Sequence, residues 1–240
     1  MILINILNKL LKKNGAELVR FPLGELKKRK ALLNNLKINK VFDIGANIGQ
    51  YGKDIRELGY KNDIISFEPL KDVYSILKKN TLKDKNWKCE NIALGNFDGE
   101  TEINIAGNLA SSSLLEILPT HLKSAPQSKY VGKETIVVKK LDSIFENYYS
   151  NNDKVYIKID AQGYEKNILD GAEKALENIS VMQIEISLIP LYENSIIFTD
   201  MIEYLKIKGF DLYDLEPGFS DKDSGRLLQF DGIFVKNNLI

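Results

Sequence analysis

Asp43 and two nearby glycines form the part of this chain best suited to bind a ligand. Residues 41–50 read VFDIGANIGQ, so a short apolar run reaches Asp43 and continues into a loop with Gly45 and Gly49. Glycines permit a tight turn and the close approach of a ligand to the backbone. A dinucleotide-binding loop would follow G-x-G-x-x-G, whereas Asn47 occupies the place of the middle glycine. The Asp43 carboxylate repels phosphate and attracts an ammonium or sulfonium group, which indicates a partly cationic ligand.

Glu68 is a second carboxylate that follows an apolar run, in the segment SFEP. A carboxylate at this point of a nucleotide-binding fold accepts hydrogen bonds from the ribose hydroxyls of an adenosine. Each feature alone has an ordinary explanation, since a glycine turn often only connects a strand to a helix and an exposed glutamate is usually only hydrated. Together, the glycine turn, the attraction for a cation and the ribose acceptor predict S-adenosylmethionine as the cofactor.

An alternation of strand-like and helix-like segments predicts how these residues are positioned. The predicted strands are 40–45, 63–69, 87–94, 154–161 and 181–187, and the predicted helices are 48–59, 71–80, 164–178 and 196–209. Two closing strands, 210–217 and 229–236, have no helix between them and can pair antiparallel. The predicted fold class is α/β, a Rossmann-like doubly wound and mostly parallel seven-stranded sheet with an antiparallel C-terminal strand. Ligands bind such sheets at the carboxyl ends of the strands, where Asp43 and Glu68 lie.

A long polar connection, residues 110–132, separates two further strand-like segments at 101–107 and 135–141. It contains Ser111 and the only histidine, His121. Connections of this length inside a compact domain are usually functional or mobile. We expect the segment to fold over a bound acceptor as a lid.

The composition is that of one folded domain without an overall charge. The chain has 240 residues, and 33 Lys and Arg balance 33 Asp and Glu. Nucleic acid is therefore not an expected partner, because no positive field attracts its phosphates. Cys89, the only cysteine, excludes an internal disulfide and any metal site built from several thiolates. A reducing, cytoplasmic location is expected, and no apolar run reaches the roughly 20 residues of a membrane-spanning helix.

Seven segments carry a resemblance to a known family. In chain order, between residues 40 and 190, they are VFDIGANIGQYG, SFEP, NIALG, ASSSLL, TIVVKKLDSI, YIKIDAQGYEKNILDGA and VMQIEIS. In these segments the chain resembles the FkbM-type S-adenosylmethionine-dependent methyltransferases. The resemblance implies the class I methyltransferase fold, a small-molecule or glycan acceptor, and O-methylation of a hydroxyl on a sugar, a glycoconjugate or a related secondary metabolite.

The resemblance also implies roles for individual residues. The first loop would line the methionine part of the cofactor, the second carboxylate would bind the ribose, and three residues after the third strand would lie near the adenine. The implied cofactor-binding residues are Asp43, Gly45, Ala46, Asn47, Gly49 and Gln50, then Glu68 and Pro69, then Asn91, Ile92 and Ala93, with Ser111 contacting the ligand and Asp160 facing the methyl group. Many family members have an acidic residue where Gln162 stands. No metal is expected, because no His, Asp and Glu cluster shows ligand spacing.

Three residues are candidates for the group that takes a proton from the acceptor. Asp160 ends a predicted strand beside the donor and is the first choice, although it could instead cap the helix that follows. Glu185 is the second, because a carboxylate among the apolar residues of VMQIEIS is costly unless it is paired or functional. His121 is the third, because its ordinary pKa suits a base near neutral pH. The alternative for His121 is an exposed loop residue.

Two other functions are compatible with the same fold. One is a nucleotide-binding or scaffold module that transfers no methyl group, which the joint presence of Asp43, Glu68 and Asp160 disfavours. The other is an RNA or protein methyltransferase. The balanced charge disfavours RNA, and IDAQGYE stands where an amine-methylating enzyme would have an N/D-P-P-Y-type motif.

Residues 1–38 are predicted to be an N-terminal helical extension, and residues 39–240 the methyltransferase domain. Within the extension, apolar residues recur at helical spacing beside several lysines, at Leu3, Ile6, Leu7, Leu10 and Leu11. Such a stripe usually packs on its own domain, and the alternative is contact with a membrane surface or a partner. The oligomeric state is left open.

Overall fold

A seven-stranded sheet forms the centre of the protein. The computed structural model describes residues 2–16, 18, 21–22 and 24–239. Its strands are β1 (Lys40–Ile44), β2 (Asp63–Phe67), β3 (Trp87–Glu90), β4 (Ala93–Leu94), β5 (Gly99–Ala106), β6 (Tyr130–Lys139), β7 (Val155–Ile159), β8 (Ile179–Ser187), β9 (Phe210–Pro217) and β10 (Gln229–Lys236). The order in the main sheet is β3-β2-β1-β7-β8-β10-β9, and β10 runs in the direction opposite to the other six strands. The predicted fold class is confirmed.

Helices cover both faces of this sheet, which explains why its central strands are continuous apolar runs. The helices are α1 (Ile2–Leu11), α2 (Gly24–Asn35), α3 (Gln50–Glu57), α4 (Lys71–Thr81), α5 (Pro119–Ser124), α6 (Leu141–Ile144), α7 (Glu165–Asp170) and α8 (Phe198–Ile207). Every residue of β1 and β7 is buried. On one face, Leu32 and Ile55 pack against Tyr156, and on the other, Ile168 and Leu205 belong to the larger core cluster. A strand buried on both faces needs apolar residues at nearly every position.

The predicted strand 87–94 is wrong as one element. The chain pairs with β2 only as far as Glu90, and Ala93–Leu94 then pairs with β6 in a separate three-stranded sheet of order β4-β6-β5. This small sheet packs Ala93 and Ile103 against Leu70 and Val73, at the start of α4. The strands predicted at 101–107 and 135–141 are confirmed as β5 and β6, each starting earlier than predicted.

The observed helix α7 is shorter than the helix predicted for residues 164–178. Helix α7 ends at Asp170, and a short 3-10 helix follows at Ala175–Asn178. A β-carbon at Gly171 would lie 1.8 Å from the carbonyl oxygen of Gly95. The two backbones are therefore in direct contact, and this contact lies where the helix stops.

The connection 110–132 has more regular structure than its composition predicts. It contains α5 and a 3-10 helix at Pro126–Ser128, and Asn104 forms an isolated bridge with Ser113. His121 lies on α5 and is 3% exposed. The alternative of an exposed loop histidine is therefore wrong.

The region before β1 is tied to the rest of the fold through α2. Leu32 and Leu33 are buried in the core, and the buried Arg29 forms an ion pair with Glu216 of β9. In α1, by contrast, Leu10 is 61% exposed, and the side chains of residues 2–6, including Leu3 and Ile6, lie outside the described part. No helix among the described residues is long and apolar enough to cross a membrane.

The Arg29–Glu216 pair predicts a large loss of stability when one partner is removed. Arg29→Ala is expected to lower the free energy of unfolding by about 3–5 kcal/mol, because the Glu216 carboxylate stays buried without its partner. Lys28→Ala is the matched control, since it removes a neighbouring pair with Asp214 in which the lysine side chain is 61% exposed, and we expect little change. Denaturant unfolding measures both variants. Equal losses would contradict the structural importance of the buried pair.

Candidate active site

A cavity of about 380 Å³ lies at the carboxyl ends of β2, β1, β7 and β8. Most of the residues predicted from the sequence line it, namely Asp43, Gly45, Ala46, Asn47, Gln50, Glu68, Pro69, Ile92, Ala93, Asp160 and Glu185. Four other predicted residues are not among the lining residues, namely Gly49, Asn91, Ser111 and His121. The structure thus brings together the strand-end carboxylates that are far apart in sequence.

Asp43 lies on β1 and is fully buried. The Ser66 hydroxyl donates a hydrogen bond to its Oδ2 over 3.0 Å, and the Trp87 ring nitrogen donates in turn to the Ser66 oxygen over 3.0 Å. Among the described residues, Asp43 Oδ1 has no hydrogen-bond partner. Burial raises the pKa of Asp43 to about 6, although the charge of Lys158 and the Ser66 hydrogen bond act in the opposite direction. A buried acceptor without a donor is costly, so Oδ1 is suited to a ligand that donates a hydrogen bond.

Glu68 joins the loop after β1 to the loop after β2. Its Oε2 accepts the Asn47 N–H over 2.9 Å, and its Oε1 accepts the Leu70 N–H over 2.9 Å. Burial raises the pKa of Glu68 to about 7, while these two hydrogen bonds lower it. Each carboxylate oxygen retains a second lone pair, so Glu68 can fix both loops and still accept from a ligand.

The glycines of the first loop serve packing as well as ligand approach. A β-carbon at Gly45 would lie 1.8 Å from the carbonyl oxygen of Asp160, so this loop rests on the chain after β7. Gly49 has φ +88° and precedes α3, and its α-carbon faces Leu77 and Trp87 instead of the cavity. Gly49 therefore allows the turn into α3 to pack closely.

Asp160 is held by two neighbours on its own segment. Lys158 Nζ donates to its Oδ2 over 2.8 Å, and Gln162 Nε2 donates to its Oδ1 over 2.9 Å. Burial disfavours the charged form, but Lys158 and these hydrogen bonds outweigh it and hold the pKa of Asp160 below its ordinary value. Asp160 is not the cap of α7, because Tyr164 occupies the N-cap position and the hydrogen bonds to the Asp160 carboxylate come from Lys158 and Gln162.

Glu185 is joined to Asp160 through Gln162. The same Gln162 nitrogen donates to Glu185 Oε2 over 2.9 Å, and Gln229 Nε2 donates to that oxygen over 2.8 Å. The Tyr192 hydroxyl donates to Gln162 Oε1 over 2.7 Å and so fixes the orientation of the amide. Burial, followed by the charge of Asp160, raises the pKa of Glu185 well above its ordinary value. Relative to an ordinary carboxyl group, the pKa of Asp160 is therefore lowered and the pKa of Glu185 is raised.

Lys158 is the one cation lining the cavity in the described part of the chain, and it was not predicted as a site residue. It lies on β7 beside Asp43 of β1, and its side chain is only 10% exposed. Burial lowers its pKa, but the carboxylates of Asp160 and Asp43 outweigh burial and raise it. Its spacing of two residues from Asp160, which puts both on one face of a strand, is the signal that could have identified it.

His121 is not a lining residue of the cavity and packs against two aromatic rings. Its ring centre lies 5.2 Å from that of Tyr192 and 5.4 Å from that of Phe219. Burial lowers the pKa of His121 to about 4, so it is neutral near neutral pH. Its predicted role as a base remains untested.

The other predicted residues outside the lining have structural contacts. Asn91 donates to the backbone oxygens of Glu68 and Pro69, and the Ser111 and Ser128 hydroxyls lie 2.9 Å apart. The serines after Ser111, at 112 and 113, do line the cavity. Among the described residues, no group of three or more His, Cys, Asp and Glu side chains could hold a metal ion.

The chain is similar to several solved methyltransferase-related structures. The FkbM methyltransferase from Methylobacillus flagellatus is 15% identical, with a TM-score of 0.45, over 81% of this chain and 43% of that chain. Fibrillarin from Aeropyrum pernix, with natively bound S-adenosyl-L-methionine, is 13% identical, with a TM-score of 0.48, over 87% and 74%. Fibrillarin from Methanococcus jannaschii, a pre-rRNA processing protein, is 13% identical, with a TM-score of 0.49, over 83% and 67%.

No curated protein matches the chain significantly. A family model gives a more specific result than the solved structures do. The model of the methyltransferase FkbM domain matches residues 43–212, which include the loops after β1 and β2, Asp160 after β7 and Glu185 of β8. Because this match spans more than half of the chain, the protein belongs to the FkbM methyltransferase domain family.

Proposed function

We propose that this protein is an S-adenosylmethionine-dependent methyltransferase that methylates a hydroxyl of a sugar, a glycoconjugate or a related secondary metabolite. The observation that carries the proposal is the buried Asp43 oxygen that has no hydrogen-bond partner among the described residues, in a residue that lines the same cavity as the joined carboxylates Asp160 and Glu185. The Asp43 oxygen suits a cationic methyl donor. The pair of Asp160 and Glu185 suits an acceptor that must lose a proton. Family membership supports the same reaction class.

The residues on the β1 and β2 side fit the parts of S-adenosylmethionine. Asp43 Oδ1 would accept a hydrogen bond from the ammonium group, and Glu68 would accept from the ribose hydroxyls. Ile92, Val73 and Ile103 offer an apolar surface for the adenine ring. When bound, the cofactor supplies a methyl group on a positively charged sulfur.

The residues on the β7 and β8 side fit an uncharged acceptor that carries hydroxyl groups. Asp160 and Glu185 are hydrogen-bond acceptors, while Ser112 and Ser113 add neutral polar groups. Among the described residues, four carboxylates and one lysine line the cavity, so an acceptor with phosphates next to the reacting oxygen would be repelled. This balance favours a sugar-like hydroxyl over an RNA acceptor.

Glu185 is better suited than Asp160 to take the acceptor's proton, which reverses the order expected from the sequence. Both Asp160 oxygens already accept hydrogen bonds from Lys158 and Gln162, so Asp160 is a weak base that orients the acceptor. Glu185 is held through one oxygen only, and its pKa is raised. A base is most effective when its pKa lies near the working pH.

The donor side of the proposal predicts a loss of cofactor affinity. Asp43→Asn and Glu68→Ala are each expected to weaken S-adenosylmethionine binding at least tenfold, about 1.4 kcal/mol, because each removes a charged acceptor. Isothermal titration calorimetry measures the affinity. Asp72→Asn, an exposed carboxylate on α4, is the control and should bind normally. Unchanged affinity in both site variants would remove the basis for the donor site.

The acceptor is identified by incubation of the protein with S-adenosylmethionine and a panel of monosaccharides, methyl glycosides and nucleotide sugars. Mass spectrometry follows the demethylated cofactor and the methylated product, and we expect product from a neutral hydroxyl acceptor. Cofactor binding without turnover on any compound would favour the non-catalytic alternative. Methylation of RNA under the same conditions would contradict the proposed acceptor class.

The acceptor side predicts an order of catalytic losses. On the acceptor that the panel identifies, Glu185→Gln is expected to lower turnover by about 10²–10⁴-fold, the usual contribution of a positioned base. His121→Ala should lower it less, because His121 does not line the cavity. Steady-state kinetics of both variants and of Asp160→Asn give the order. A larger loss in Asp160→Asn than in Glu185→Gln would restore Asp160 as the base.

A further inference from the structure

Glu185 lies among more negative than positive groups. Asp160 faces it from the end of β7, Glu165 from α7 and Asp231 from its paired position on β10, while Lys158 is the cation that acts on it. Tyr192 interacts with Glu185 as well, and its hydroxyl donates to Gln162. Each of the three carboxylates opposes a negative charge on Glu185.

Hydrogen bonds leave one oxygen of Glu185 available to the cavity. Gln162 and Gln229 both donate to Oε2, and Oε1 has no hydrogen-bond partner among the described residues. Asp160 differs, because Lys158 bonds to it directly and stabilises its charge. A proton taken up by the pair is therefore held by Glu185, while Asp160 stays ionised.

A cation that enters the cavity changes this balance. A positive charge near a carboxyl group favours the ionised form and lowers its pKa. S-adenosylmethionine and its demethylated product share the ammonium group, the carboxylate and the ribose, and they differ in the sulfonium charge. Asp43 and Glu68, which would contact the shared groups, respond alike to both compounds.

We propose that the charge of the methyl donor controls the proton on Glu185: the sulfonium expels this proton, whereas the demethylated product leaves it in place. This inference rests on the proposed function. In the transfer step, the acceptor oxygen forms its bond to the methyl carbon, the carbon–sulfur bond breaks with its electron pair left on sulfur, and the acceptor's proton moves to Glu185. The positive charge lost from sulfur is thus replaced by a proton on the neighbouring carboxylate.

The arrangement makes the base available only when the donor is bound. In the cavity without donor, the facing carboxylates favour the protonated form of Glu185, which cannot take a proton from the acceptor. After transfer, Glu185 carries a proton, and this protonated form is the one that the demethylated product favours. The local charge of the cavity therefore stays constant through the reaction, which avoids an additional buried charge.

Proton release on binding tests this inference without any acceptor. Calorimetric titrations of S-adenosylmethionine and of its demethylated product, each in phosphate and in Tris near neutral pH, give the number of protons released from the dependence on buffer ionisation heat. We expect the donor to release more protons than the product, by a difference of up to one per protein. In Glu185→Gln this difference should vanish, and in the control Glu193→Gln, an exposed carboxylate, it should remain.

The outcomes separate this inference from the proposed function. Equal proton release by the two compounds in the wild-type protein would overturn the coupling, and that comparison requires no variant to fold. A difference that persists in a folded Glu185→Gln protein, checked by circular dichroism, would assign the proton to another group and overturn the role of Glu185. Failure of both compounds to bind would overturn the proposed function, and this inference with it.

Discussion

The backbone of Gly45 lies directly against the carbonyl group of Asp160, and the geometry of the cavity depends on this contact. A side chain at Gly45 would have to occupy the space of that carbonyl, 1.8 Å from its oxygen. The loop after β1 and the chain after β7 are thus fixed at one separation, which in turn fixes Asp43 relative to Asp160. A reaction between a donor and an acceptor requires such fixed positions, because small displacements cost much of the rate.

The second requirement of this site is control of buried charge. Lys158 compensates Asp160 and Asp43, Ser66 and Trp87 stabilise one oxygen of Asp43, and two side-chain amides hold Glu185. Buried carboxylates without such partners would change their protonation state or destabilise the fold. The polar network therefore determines which carboxylates are charged before a ligand arrives. The same network spans six adjacent strands, from β3 to β10, so the site and the sheet support each other.

The sequence predicted the main sheet well, because strands buried on both faces leave apolar runs that alternate with amphipathic helices. It also located Asp43, Glu68 and Asp160, since each directly ends such a run or lies within it. The break after Glu90 was missed because residues 87–94 keep a strand-like pattern through a change of sheet. Lys158 was missed because its spacing of two residues from Asp160 is the one sign in the sequence of a carboxylate neighbour, and a lysine in a strand gives no sign of Asp43 on the adjacent strand. A contact between distant parts of the backbone, such as that of Gly171 with Gly95, is indicated in the sequence by nothing more than a glycine.

The ion pair between α2 and β9 has a consequence for the synthesis of the chain. Arg29 and Glu216 are separated by 187 positions, so Arg29 leaves the ribosome long before its partner has been translated. Until β9 and β10 have been made, the guanidinium group has no carboxylate to pair with in the core, and the burial of α2 is not favoured. Domains fold as units once their sequence is available, and this unit is complete only after β9 and β10 have been translated. Co-translational folding of this domain therefore joins α2 to the sheet only after β9 has been made.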